Sequence, residues 1–339
     1  MTTDTGQINP RIQKYLIYLL VIFALLTTVV LVGVIWNSQR VLRGDKPHLT
    51  YAGVRILLWG GHERLDPRES IGQPIGRSIE WYLGHVEDLT MTPAAASFLA
   101  RNYSNILNMH SVHQLSPSVA RGLSQTRHGL RFNNLELTSP EVLAALVSGP
   151  LRSLDIRIPN LTEAGANALS QFKGNYLTVT EMTDLSPEAA KALSRCEAVG
   201  LSLQGLDHLS GEAAEELSRC RADWLAIGGG YQKTSSGTLS LGYLDSISET
   251  TASALSRFQG QSLNLYVKHI SEEVAVALSH YPGLLALTTL ETLPDAAAHA
   301  LAGRKLLKVG FGASDGPHQL EKLPASAAAI LRAANNNSQ

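Results

Sequence analysis

The phrase LSPEAAKALSRC begins at Leu185 and returns 24 residues later, at Leu209, as LSGEAAEELSRC. Followed in both directions, the residue that opens each copy falls at Thr92, Ser116, Ser139, Thr162, Ser186, Ser210, Ser248, Ser271, Pro294 and Pro324, with spacings of 24, 23, 23, 24, 24, 38, 23, 23 and 30. A period this regular constrains the fold more than any single motif. Each unit is one supersecondary element that cannot bury its apolar face alone, so copies must stack into a continuous core.

Each unit has two halves. An apolar frame LxLxxLxxLS comes first, clearest as LSLQGLDHLS from Leu201, and seen again from Trp81, Leu107, Leu177, Leu239 and Leu285. Copies from Leu154 and Leu263 are one residue shorter. The LxL core alternates with period two, which predicts a short strand with one buried face. Ser or Thr follows, often with Pro and Glu, and then a run of Ala and Leu. Ser186 suits a helix N-cap, Pro187 the first helical position, and Glu188 the positive end of the helix dipole. The helix has only two to three turns, so neighbouring units must stabilise it.

The frame resembles a divergent bacterial leucine-rich-repeat family, with a strand, a turn and a short helix per unit. The resemblance departs from the commonest pattern where that pattern carries Asn: here stand Val86, Val112, Leu135, Met182, Leu206, Leu244 and Leu290. Backbone groups must then satisfy the turn. The expected fold is an α/β solenoid of about ten strand-turn-helix repeats of 23–24 residues, with a parallel sheet on one face and short helices on the other, preceded by one transmembrane helix.

That last expectation rests on Tyr15 to Trp36, 22 residues without a charge, flanked by Arg11 and Lys14 before it and Arg40, Arg43 and Lys46 after it. At about 1.5 Å per residue such a helix spans a hydrocarbon layer of roughly 30 Å. The expected order is an N-terminal tail (1–14), a membrane span (15–36), a linker (37–52), a capping segment (53–80), the solenoid (81–334) and a terminal tail (335–339). A short tail, one span and a long domain have the form of a signal anchor, which puts the large domain outside the cytoplasm. The flanking basic residues taken alone favour the opposite side.

A formal net charge of -1 gives no electrostatic footprint for nucleic acid. Cys196 and Cys220 occupy equivalent positions in adjacent units. They read as small buried apolar residues, with a disulfide between stacked coils as the alternative. Catalytic patterns fail one by one: His110 and His113 lack the remaining ligands of a zinc site, Asp66 stands where HExxH needs its second His, and Gln232 replaces the glycine that a phosphate loop needs before Lys233. The segment from Gly228 to Thr238 reads as an inserted surface loop.

The chain is therefore read as a non-enzymatic interaction scaffold, with no cofactor and no metal, anchored in a membrane through residues 15–36 and binding another protein. The alternative is a structural envelope spacer or self-associating element without a specific ligand. Residues between the core leucines line the exposed sheet face. The candidates are Asn108 and His110, Arg131 and Asn133, Asp155 and Arg157, then Thr178, Thr180, Ser202, Gln204, Asn264, Tyr266 and Lys268, with Tyr231 and Lys233 on the inserted loop. By resemblance to leucine-rich repeats, this is the face where a partner binds. Arg131 pairing with Asp155 across strands is the purely structural reading of that pair.

Overall fold

The computed structural model describes residues 48–49, 90–135, 139–229, 231–233, 239–241, 243–304, 306–309 and 323–336. Within them the Leu-x-Leu alternation forms strands, and equivalent leucines come into register. The strands are β1 (His48–Leu49), β2 (Thr90–Met91), β3 (Leu107–Asn108), β4 (Gly129–Phe132), β5 (Ser153–Arg157), β6 (Tyr176–Thr180), β7 (Gly200–Leu203), β8 (Trp224–Ile227), β9 (Tyr231–Lys233), β10 (Leu239–Leu241), β11 (Leu244–Ser246), β12 (Ser262–His269), β13 (Leu284–Thr288) and β14 (Leu307–Val309).

A ten-stranded sheet runs β14-β13-β12-β8-β7-β6-β5-β4-β3, with β11 pairing beside the end of β12. Its pairs are all parallel. Leu130, Leu154, Leu177, Leu201, Leu225, Leu263 and Leu285 align across it, each at 0–1% exposure. Parallel neighbours that follow in chain order need a crossover on one side, and the helices supply it.

These helices are α1 (Pro93–Asn102), α2 (Pro117–Leu123), α3 (Pro140–Val147), α4 (Glu163–Leu169), α5 (Pro187–Leu193), α6 (Gly211–Leu217), α7 (Glu249–Leu255), α8 (Glu272–Ser279), α9 (Asp295–Ala302) and α10 (Ala325–Asn336). From α1 to α8 each begins at a Ser or Thr whose hydroxyl accepts the amide three residues on, at 3.1–3.4 Å. At α9 and α10 Pro294 and Pro324 stand in that place, and Pro294 gives no side-chain cap. The alanine columns, such as Ala189 and Ala190 over Ala213 and Ala214, are fully buried and let consecutive helices pack closely. Where leucine-rich repeats carry Asn, Val112, Leu135, Met182, Leu206 and Leu244 are buried at 0–1%. The turns beside them use coil-to-coil backbone bonds, as from the Met182 amide to the Gln204 carbonyl at 3.0 Å.

The expectation of a fold preceded by a transmembrane helix is corrected. The described fold is α/β, with its ten-stranded parallel sheet and ten helices, and no described helix is long and apolar enough to cross a membrane. The longest, α10, has 12 residues, about 18 Å against the roughly 30 Å of a hydrocarbon layer. Residues 15–36, the expected span, lie outside the described residues, as do the expected capping segment 53–80 and residues 81–89 of the first frame. The expected single-pass membrane location is corrected with it, since no described helix is long and apolar enough to cross a membrane.

The 38-residue spacing also folds differently from the frame reading. LSLGYL from Leu239 is not the strand of its coil: Leu239–Leu241 pairs antiparallel with Tyr231–Lys233 as a separate hairpin. The coil takes its strand from β8, with Leu225 and Ile227 in the leucine rows, and resumes at β11 with Leu244 and Ile247 before Ser248 caps α7. The insertion thus splits one frame in two. Gly228 and Gly229, at φ +77° and +71°, carry the chain off the sheet at its root, a backbone conformation that side chains with a Cβ disfavour.

Candidate functional site

Outward positions of the strands form rows across the sheet. In one row Asn108, Arg131, Asp155, Thr178, Ser202 and Ala226 are consecutive partners. Two residues further along the strands, Arg157 stands beside Thr180. Rigid strands about 4.8 Å apart hold such side chains close enough to interact.

Arg131 donates from Nε to Asp155 Oδ2 at 2.8 Å. Arg157 donates from Nε to Glu181 Oε2 at 2.5 Å. Asp155 Oδ1 is buried and has no hydrogen-bond partner among the described residues. Burial pushes the Asp155 carboxyl above its ordinary pKa, while Arg131, through its charge and hydrogen bond, and His110, through its charge, pull it back. His110, half-buried in the turn after β3, therefore belongs to the same cluster. Asn134 donates from its amide to the His110 carbonyl at 2.6 Å and fixes that turn.

Glu181 was not among the residues singled out from the sequence. It occupies the fifth position of its frame, where the next coil carries Gly205, and both have positive φ, +56° and +92° respectively. Glu181 thus holds a left-handed conformation that glycine adopts without steric cost. The visible signal was the alignment of a glutamate with a glycine at a turn.

The other candidates lie elsewhere. Asn133 is exposed just beyond β4. Tyr266, on β12, is four strands from Arg157, roughly 19 Å at the usual strand spacing; a Cβ on Gly229 would lie 2.6 Å from its ring, so it packs over the insertion's root. Tyr231 and Lys233 lie on the hairpin outside the main sheet. Ser202, expected to face solvent, is only 5% exposed. Small Ala226 flanks it, and Gln204 folds back to donate to its hydroxyl at 3.2 Å. Ala226 at 5% and Ala286 at 8% are small and covered, while β12 presents Asn264, Tyr266 and Lys268 half-buried and β14 presents Lys308 exposed; the Arg–carboxylate pairs lie on β4–β6 and their turns. Among the described residues no group of His, Cys, Asp or Glu is arranged to hold a metal ion.

No protein-family model matches the chain, and no curated protein matches it either.

Cys196 and Cys220 are free thiols at 1% and 4% exposure. They belong to an interior column with Phe172, Phe258 and Tyr281, each ten residues past its helix cap. Arg304 takes the next place: its guanidinium lies 5.7 Å from the Tyr281 ring and donates to the carbonyls of Leu278, Ser279, Tyr281 and Gly283. Burial pushes the Cys196 thiol up from 9.0 to about 11, and burial likewise pushes the Tyr281 hydroxyl up to about 12. Both are acids favoured in their neutral form by folding. Their contributions are complete below the ordinary thiol pKa; that of Cys196 is lost as pH rises from 9.0 through about 11 and that of Tyr281 as it rises from 10.0 through about 12. The melting temperature should therefore fall above pH 9, and less steeply in Cys196→Ala. Native protein at pH 8 should label with a thiol reagent far more slowly than unfolded protein.

Proposed function

We propose that this chain is a non-enzymatic interaction scaffold that binds another protein through the exposed face of its repeat sheet, over β4–β6. The repeated parallel α/β architecture supplies a rigid base, and the leucine-rich-repeat character of the units favours the sheet face as the place of contact. The observation that carries the reading is Glu181. It holds a left-handed backbone beside a coil that uses glycine there, and it points its carboxylate at Arg157. Strain of this kind at an outward charged group favours a binding role over a stabilising one. Asp155, with one buried oxygen lacking a partner, offers an acceptor to an incoming donor.

Glu181→Gly relieves the backbone and removes the carboxylate. It should stabilise the fold by about 1 kcal/mol and at the same time reduce recovery of the partner in affinity capture from the native source. Arg131→Ala should reduce recovery as well, with a stability change of about 1 kcal/mol or less. An identical set of captured proteins from the parent and from both folded variants would refute the sheet face as the binding site.

A further inference from the structure

All strands of the main sheet run in one direction, so the solenoid has two distinct edges: one where helices end and strands begin, the other where strands end and helices begin. These edges carry opposite charge. On the strand-start edge Arg127, Arg152, Lys173, Arg195 and Arg221 are exposed and have no carboxylate partner among the described residues, and the acids in the same loops are Glu197 and Asp223. On the strand-end edge the described loops and first helical turns hold carboxylates such as Glu163, Glu188, Glu212, Glu249, Glu272 and Glu291, and no lysine or arginine; the base nearest them is Lys268, at the end of β12. The helix dipole favours acids in a first turn and bases in a last turn. It does not account for Arg127, Arg152, Arg221, Asp184, Asp207 or Glu291, which lie outside the helices. A net charge of -1 conceals this separation.

The basic edge is also apolar. Of the five large hydrophobic side chains exposed among the described residues, four stand on it: Ile106 at 42%, Tyr176 at 47%, Val199 at 41% and Leu306 at 52%. Trp224 lies across the backbone of Gly200, where a Cβ would come within 2.0 Å of its ring, and reaches Tyr176 with ring centroids 6.0 Å apart. Glycine at 200 is what allows the indole to rest there.

We propose that the basic, apolar edge docks onto the acidic edge of a second copy of this chain. The two edges lie on opposite sides of one molecule, so they meet only between molecules. The complementary charges then orient head-to-tail association, while the apolar side chains supply area that loses water. Such contact is heterologous: each added copy leaves one edge of each kind free, and assembly continues. This inference stands independently of the sheet-face reading, and Arg131→Ala leaves the edges intact.

The test uses full-length protein in sedimentation velocity. The parent should show mass rising with concentration at about 50 mM salt and falling back at about 500 mM, where screening is short-ranged. One variant carries Arg152→Glu, Lys173→Glu and Arg195→Glu; a second carries Glu188→Lys, Glu212→Lys and Glu249→Lys. Each alone should lose the salt-sensitive association. Mixed in equal amounts they should regain the association, because the unaltered acidic edge of one meets the unaltered basic edge of the other and the two reversed edges carry opposite charges. Salt-sensitive association that survives both reversals, folded variants that fail to pair, or a parent that shows none would overturn the proposal. Zero-length carbodiimide crosslinking of mixed isotope-labelled and unlabelled parent needs no variant. It should join Lys173 of one molecule to a strand-end carboxylate of another; intermolecular crosslinks absent from that pairing would also overturn it.

Discussion

Leu203→Asp should cost at least about 4 kcal/mol, because it leaves a carboxylate unpaired in the shared core. Leu203 is 0% exposed and lies between Val179 and Ile227 in the middle of the stack. In a solenoid each coil is stabilised mainly by its neighbours, so a fault at β7 uncouples the coils on either side. Thermal or urea unfolding should therefore show an earlier, broader transition, and two steps where one half outlasts the other. Asn133→Asp, on an exposed turn residue, should cost roughly 0.5 kcal/mol or less. Equal losses from the two substitutions would refute the in-and-out assignment. Ser202 is not a suitable control despite its outward position in the LxL frame, because it is buried beneath Gln204.

Gly149→Ala should cost about 3 kcal/mol, the upper range for overpacking. A Cβ at this position would stand 1.9 Å from the Ser124 carbonyl oxygen and 2.5 Å from its carbon. Those are backbone atoms of the previous coil, so no side-chain rotation relieves the clash; the coils must separate. Gly303→Ala is the matched comparison. It meets nothing within 4 Å and has φ -71°, so reduced freedom of the unfolded chain should make it neutral or stabilising by about 0.5 kcal/mol. Similar melting temperatures for the two variants would mean that the coil spacing at α3 is not as close as described.

The sheet-face cluster was partly legible before the fold. Alternation in GLRFNN separates Arg131 from its buried neighbours Leu130 and Phe132, and a 24-residue period places Asp155 beside Arg131 and Glu181 beside Arg157 in principle. The sequence offers Arg131–Asp155 as a cross-strand pair; it does not single out Glu181, because a turn residue's backbone angle leaves no mark in composition. Tyr266 shares the frame position of Arg157 and lies four strands away. The split frame at Trp224 is hidden by a chance match: LSLGYL satisfies the strand pattern, but antiparallel pairing with Tyr231–Lys233 takes Leu239–Leu241 out of the stack, and only Leu244 belongs to it.

What the sequence alone determined is whatever is periodic and local. Leucines two apart specify a strand with one buried face, Ser or Thr before Pro and Glu starts a helix, and the constant 23–24-residue step forces neighbouring units into parallel register, since only stacking buries their leucines. Only the tertiary structure decided how far each outward position is exposed, which frame supplies the strand beside the insertion, where Glu181 must turn left-handed, and that the charges part onto opposite edges. Those properties depend on which residues from different coils come within a few ångströms of one another, and on the one-way run of the strands, neither of which any single repeat contains.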